Sequence, residues 1–324
     1  MLSLNRQYYL SGIVILIVAT IFAILVGAGL YGYGHDYYRA YNQPNLDWGF
    51  VFDRLGFIIA TLTIYEIHLG VQLVTFILSI STGLLLREHI KFRNSYSLIF
   101  FTFLLICTIH TWPIIMSTSN AMRQGLSMSF IFLALIFSSR QKFYLMIIFC
   151  LLGVFTHKSG LLLALIVIFS FATNKIFKNF SINKKTLIHF IIGIILFLSS
   201  YFALDYVNRY IFTFGEGQSR IIGGDFRGPF LLISSLYIGL SFFYRRICSN
   251  AFNLSLYYFS FISPSLLLNG LNWEYERLCM MMLIPFVLAF GVLLNKISYK
   301  LYLTTILFLL LLLTIFTGMY ASLT

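Results

Sequence analysis

The sequence predicts an all-α protein: a polytopic membrane helix bundle of about eleven transmembrane helices, with an outer amphipathic helix after the first span. Three observations carry that reading. Hydrophobic residues make up 60% of the 324-residue chain, charged residues only 10%, and the mean hydropathy is +0.90; soluble globular chains carry about 25% charge, so a water-surrounded fold is excluded. Apolar runs recur at roughly the 20-residue length that crosses a hydrocarbon layer. The cations gather between alternate runs, the pattern of a chain threaded with Lys and Arg on its cytoplasmic side.

In order, the runs fall at 8–30, 67–86, 97–116, 122–138, 143–157, 158–173, 187–204, 229–243, 251–268, 278–294 and 301–320. The first is too long for a signal-peptide core and no small-residue cleavage pattern follows it, so it is expected to remain as a span. The pair 143–157 and 158–173 reads as two helices or as one kinked element. Residues 49–64 are apolar enough to imitate a span but contain Asp53 and Arg54. Counting them as a crossing would move most cation clusters outside, so an amphipathic helix on the outer surface fits better.

With a cytoplasmic amino terminus, the inner segments hold Arg6; Arg87, Lys91 and Arg93; Arg140 and Lys142; Lys175, Lys178, Lys184 and Lys185; Arg245 and Arg246; Lys296 and Lys300. Their one acid is Glu88. The formal charge of +12 therefore reports threading, and no nucleic-acid partner is expected. Cys107, Cys150, Cys248 and Cys279 show no metal-ligand or redox spacing and read as packing residues. The whole chain, 1–324, is expected to form a single membrane domain, with outer loops 31–66 and 205–228 over its site.

An ionisable residue at membrane depth is a functional candidate by default. The first outer segment, Gly34-His35-Asp36-Tyr37-Tyr38-Arg39-Ala40-Tyr41 and then Asp47-Trp48-Gly49-Phe50, mixes carboxylates, a cation and aromatic rings. That mixture binds sugars, by stacking and by accepting hydroxyl hydrogens; it equally describes an interfacial aromatic belt. Asn120-Ala121-Met122-Arg123-Gln124-Gly125 stands at the outer start of a helix, where unpaired N–H groups and an Arg fork suit phosphate or carboxylate. The plainer alternative is an arginine reaching for the interface. The small residues Gly125 and Ser127 imply that something packs closely on that helix.

Thr156-His157-Lys158-Ser159-Gly160 separates two runs of only about 15 residues, about 22 Å each, so the turn should lie below the outer surface, with His157 and Lys158 facing a polar cavity. Asn272-Trp273-Glu274-Tyr275-Glu276-Arg277 begins another outer helix end, where Glu276 and Arg277 point apart. Two carboxylates, Glu274 and Glu276, make a weak metal signal. The 205–228 loop carries Arg209, Arg220 and Arg227 among five glycines and reads as a lid or as a connector.

In their order, Gly-x-Asp-Tyr-x-x-Tyr, an acid-aromatic-Gly segment, Asn-x-x-Arg-Gln-Gly and a sunken His-Lys-Ser resemble the EpsG-like polysaccharide polymerases, grouped with the Wzy-type O-antigen and capsule polymerases. The matching pieces are Gly34–Tyr41, Asp47–Phe50, Asn120–Gly125 and His157–Ser159, with Glu276-Arg277 a looser match. Asp47-Trp48-Gly49-Phe50 departs from the Glu-Pro-Gly-aromatic that such proteins often have, which weakens any role for Asp47.

The resemblance implies a bacterial inner-membrane enzyme that joins undecaprenyl-diphosphate-linked repeat units by glycosyl transfer on the outer face, for O-antigen, capsule or exopolysaccharide. It also implies a chain-length regulator as partner. The charge left on the lipid diphosphate needs fixed cations or a metal. The reading here is metal-free and cofactor-free: Arg123 and Arg277 foremost, with Lys158 and Arg220, and with Arg39, Gln124, Glu276 and Tyr41 on the glycan or diphosphate. His157 is the first choice of general base and Asp36 the second. The rival readings are a transporter or flippase of lipid-linked oligosaccharides, or an outer-face acyl or glycosyl transferase.

Overall fold

The computed structural model describes residues 2–33, 69–90, 92, 95–119, 121–157, 159–210, 253, 256–258 and 260–264. Among them all regular structure is helical: α1 (Leu2–Gly27), α2 (Leu69–His89), α3 (Ser95–Ile109), α4 (Trp112–Ser119), α5 (Met122–Ser139), α6 (Phe143–Thr156), α7 (Ser159–Ile176) and α8 (Ile182–Tyr210), with helical positions again within 253–264. Five helices are long and apolar enough to cross a membrane: Arg6–Gly27, Leu69–His89, Met122–Ser139, Ser159–Ile176 and Ile182–Ala203. Ser95–Ile109 and Phe143–Thr156 are apolar but shorter. The chain is a helical membrane protein. The amphipathic helix at 49–64 and the spans 229–243, 278–294 and 301–320 lie outside the described residues, as does most of 251–268.

Contacts divide the chain into two units, 1–165 with 294–324, and 166–293. In the first, α1 and α2 run antiparallel. A Cβ at Gly12 would meet the Arg87 guanidinium at 3.2 Å, one at Gly83 would meet Ile15 at 2.8 Å, and one at Gly27 would meet Gln72 at 2.3 Å. Glycines let the two backbones approach where lipid supplies no hydrophobic force to press them together. Ser11, Ile15, Ala19, Phe22, Ala23 and Val26 face inward on α1, and Tyr9, Ile13, Leu16, Ile17, Ile21 and Ile24 face outward. An outward face this apolar is stable only against hydrocarbon chains.

Helix α2 is central. It buries Val71, Val74, Thr75, Leu78, Ser79, Thr82, Leu85 and Leu86 against its neighbours. Thr75 and Thr82 return their hydroxyl hydrogens to the carbonyls of Val71 and Leu78, both at 2.7 Å, so these two side chains sit at helix interfaces with their donors satisfied. At its end, Arg87 lies 4.5 Å from the Tyr8 ring centre. Beside it Glu88 takes a two-pronged hydrogen bond from Arg140, at 2.6 Å from Nη2 and 3.0 Å from Nε. That bond holds the half-exposed Arg140 guanidinium above its usual pKa. The one acid expected among the inner cations thus ties the end of α2 to the end of α5.

The span expected at 97–116 is not one helix. It breaks at His110-Thr111 into α3 and α4. Pro113 has no N–H to return to the carbonyl of Ile109, so an unbroken helix through it would lose that bond. The alternative left open at 143–173 resolves as two helices, because His157 is extended (φ −159°, ψ 142°) and ends α6. The first helix begins at Leu2, earlier than residue 8, and ends at Gly27. Beyond it, left-handed Gly29 and Gly32 (φ 77° and 72°) turn the chain back so that Tyr31 packs on Phe22.

In the second unit, α8 packs on 253–264. A Cβ at Gly193 would meet Ser260 Oγ at 2.9 Å, and Ser200 donates to the Phe261 carbonyl at 2.6 Å. Leu187, Ile191, Ile194, Ile195, Leu198 and Phe202 face outward along α8.

Candidate functional site

The site in the first unit is built on a close approach of three helices. Ser127 of α5 donates its hydroxyl hydrogen to the Gly153 carbonyl of α6 at 2.9 Å. After His157 the chain folds back, so that a Cβ at Gly160 would stand 2.2 Å from that same carbonyl oxygen and 2.6 Å from Ser127 Oγ. On another side of α5, a Cβ at Gly125 would stand 2.0 Å from the Ser117 carbonyl of α4. The close packing expected from Gly125 and Ser127 is present, and no larger residue fits at Gly125 or Gly160 without moving backbone.

These contacts fix the level of the predicted residues. Arg123 precedes Ser127 by one helical turn and lies on the same face. His157 follows Gly153 by four residues. Both therefore stand one step beyond the Ser127–Gly153 bond, toward the start of α5 and the end of α6, at the same end of the bundle. Arg123 is partly buried and Gln124 is buried. Ala121, before the first turn of α5, supplies no side-chain cap.

His157 has a defined hydrogen-bonding state. Its Nδ1 accepts from the Ser159 N–H at 3.2 Å and lies 2.7 Å from Ser159 Oγ. A nitrogen that accepts a backbone N–H carries no hydrogen itself, so the neutral ring holds its hydrogen on Nε2. His157 also accepts the Gly160 N–H through its carbonyl, at 2.8 Å.

A second buried histidine, His110, has no counterpart among the predicted site residues. His110 sits at the break between α3 and α4, buried between Phe22 and Tyr31 with ring-centre distances of 5.0 and 5.7 Å. Its Nδ1 lies 2.8 Å from the Ile106 carbonyl, which also accepts the His110 N–H at 3.2 Å. Burial pushes the Tyr31 hydroxyl up to about 12, so it remains protonated beside the imidazole. The signal for His110 was in the sequence: a histidine three residues before the only proline of an apolar run.

The second unit holds a buried polar cluster of its own. His189 hydrogen-bonds through Nδ1 to the Tyr257 hydroxyl, which lies 3.3 Å from Thr173 Oγ1, and Asn253 donates to Asn174. Phe169 and Phe177 pack around it. His189 and Tyr257 are 68 residues apart in sequence, and no local spacing announces them.

Of the predicted site residues, Arg123, Gln124 and His157 fall within the described part and share one end of the first unit. Asp36, Arg39, Tyr41, Lys158, Arg220, Glu276 and Arg277 lie outside it, as do Glu274 and the loops 34–66 and 211–228. Among the described residues no group of three or more His, Cys, Asp or Glu is placed to hold a metal ion. Cys107 and Cys150 are buried.

No curated protein and no solved structure matches this chain. A match to a protein family covers nearly all of it, residues 8–324, including both the first turn of α5 and the His157 turn that the geometry brings level. The chain belongs to the EpsG family.

Proposed function

We propose that this protein is a polysaccharide polymerase of the bacterial inner membrane. It joins undecaprenyl-diphosphate-linked repeat units by glycosyl transfer on the outer face, with its amino terminus in the cytoplasm. Family membership supports polymerase-like chemistry in general. The observation that carries the finer reading is the common level of Arg123 and His157 on either side of the Ser127–Gly153 contact.

Glycosyl transfer from a lipid diphosphate leaves two phosphates bearing the electron pair of the broken anomeric bond. Fixed cations aimed at that charge are worth most where water is excluded. Arg123 offers a planar fork to phosphate oxygens; Lys158, Arg277 and Arg220 add charge, and Gln124, Glu276, Arg39 and Tyr41 bind glycan. His157, with hydrogen on Nε2, suits a donor role toward diphosphate better than the base role first given to it, and Asp36 is the carboxylate option for the base.

The test is reconstitution. Purified protein in liposomes is given a lipid-linked repeat unit, and the products are separated by length. A ladder of polymers supports the reading. Translocated but unextended substrate would instead mark a flippase, and a single added group would mark a simple transferase.

A further inference from the structure

We propose that the Arg87 guanidinium, held between Gly12 and the Tyr8 ring, binds the phosphate of an anionic phospholipid in the leaflet on the amino-terminal side of the bundle. This goes beyond the polymerase reading and does not depend on it. With a cytoplasmic amino terminus the leaflet is the inner one. The site lies at the other end of α5 from Arg123, about 25 Å away along that helix, where Arg140 follows its last turn.

Three helices meet there. Arg87 of α2 places its guanidinium carbon 4.5 Å from the centre of the Tyr8 ring of α1. Its Nη1 lies 3.2 Å from where a Cβ of Gly12 would stand, so a bare glycine is what lets the fork lie against α1. The hydroxyl of the same tyrosine interacts with Arg140. A guanidinium held over a ring is fixed in place and keeps its N–H donors for other partners.

The neighbouring acid is already committed. Glu88 takes the Arg140 Nε hydrogen at 3.0 Å on one oxygen and the Nη2 hydrogen at 2.6 Å on the other. It is also the only acid between residues 67 and 204. Among the described residues Arg87 therefore has a ring against it and no carboxylate, and Lys142 adds a further cation beyond Arg140. A phosphate diester supplies the acceptors that this partly buried fork lacks. Charge then selects the lipid. A zwitterionic headgroup brings an ammonium that finds no open carboxylate here, whereas phosphatidylglycerol brings its phosphate and a neutral glycerol.

The depth is that of a headgroup. Tyr8 and Tyr9 on α1, and Phe143 and Tyr144 at the start of α6, are exposed at this end of the unit. Such rings settle at the boundary between hydrocarbon and water. From Tyr9 the exposed side chains Ile13, Leu16 and Ile17 continue along α1, an apolar stripe for the acyl chains of a lipid whose phosphate is on Arg87.

The competing account is an arginine that orients the chain by its charge and binds no particular molecule. Arg6 separates the two, because it carries the same charge at the same end of α1 and is fully in the open. Full-length protein, stripped of lipid in a neutral detergent, is titrated with phosphatidylglycerol, with phosphatidylcholine and with inorganic phosphate. Native mass spectrometry counts bound lipid, and thermal unfolding reads stabilisation. Wild type is expected to bind phosphatidylglycerol about tenfold more tightly than phosphatidylcholine, with a higher unfolding temperature that inorganic phosphate does not reproduce. Arg87→Gln should weaken phosphatidylglycerol binding about tenfold, and Arg6→Gln by less than about twofold. Arg87→Lys keeps the charge and loses the fork, so it should fall between wild type and Arg87→Gln, and it carries the test if Arg87→Gln does not fold. Equal losses from Arg6→Gln and Arg87→Gln, wild-type affinity in Arg87→Lys, or no preference over phosphatidylcholine overturns the proposal. Stabilisation by inorganic phosphate equal to that by the lipid also overturns it, in favour of a site for small anions.

Discussion

Ser127 and Gly153 are joined by a 2.9 Å hydrogen bond from a side-chain hydroxyl to a backbone carbonyl, and Gly160 closes over that bond. The arrangement leaves no space for a side chain at Gly160. Gly160→Ala sets its methyl against backbone oxygen, which cannot swing aside, and is expected to cost about 1–3 kcal/mol through overpacking. Thermal unfolding in detergent measures the loss, and polymer yield should fall with it because His157 moves with the start of α7. Gly160→Ala with unchanged stability would mean that α6 and α7 are not packed as described.

Arg123 gives a graded expectation. Replacement by Ala should lower polymer synthesis about 100-fold or more, the size expected when a fixed group facing developing charge is lost. Arg123→Lys keeps the charge and loses the fork, and should retain about a tenth of the activity. Chain-length profiles from cells lacking the native copy read both. A lysine variant as poor as the alanine one would point to shape at that position, and synthesis abolished by a chelator would bring Glu274 and Glu276 back as metal ligands.

In the second unit, Asn253 donates its side-chain amide N–H to the Asn174 side-chain carbonyl inside the helix packing. Asn174→Leu strands a buried amide and should destabilise by about 1–3 kcal/mol. The double replacement Asn174→Leu with Asn253→Leu removes both partners and should recover most of that loss. Full additivity of the two single effects would show that the amides do not interact.

Gln141 turns α5 into α6 with a left-handed backbone, φ 58°, while Lys142 and Gln141 close back on the carbonyls of Phe137 and Ser138. Glycine is the residue this position favours. Gln141→Gly should stabilise the protein by about 0.5 kcal/mol, the relief of left-handed strain less the entropy that glycine loses. A lower unfolding midpoint would assign the side chain's 3.3 Å bond to the Ser138 carbonyl more weight than an exposed amide should have.

The parts of this fold that were legible in the sequence are those that follow from counting. Of the two runs flanking Thr156–Gly160, the first is a short helix of 14 residues ended at His157, as counting suggested, whereas the second runs 18 residues, Ser159–Ile176, and is long enough to cross a membrane by itself. Gly125 and Ser127 stood out as small residues in a bulky helix, and each meets backbone or a hydroxyl from another helix. The break at His110 was missed because apolar content does not see the absent N–H of Pro113, which divides 97–116 into two helices. The His189–Tyr257 pair was out of reach for another reason. Its partners meet through tertiary packing across 68 residues, a pairing that no local spacing shows.

Helix α6 has one further consequence, for the lipid around it. Fourteen residues rise about 21 Å, while the hydrocarbon layer is about 30 Å deep. Its outward residues Tyr144, Leu145, Ile148, Leu151 and Phe155 face the acyl chains directly. The bilayer beside this helix must dip to meet it, at a cost of fractions of a kcal/mol per Å. On the polymerase reading proposed above, a lipid-anchored diphosphate arriving beside this helix would meet the His157 turn at the level of Arg123 on the neighbouring helix.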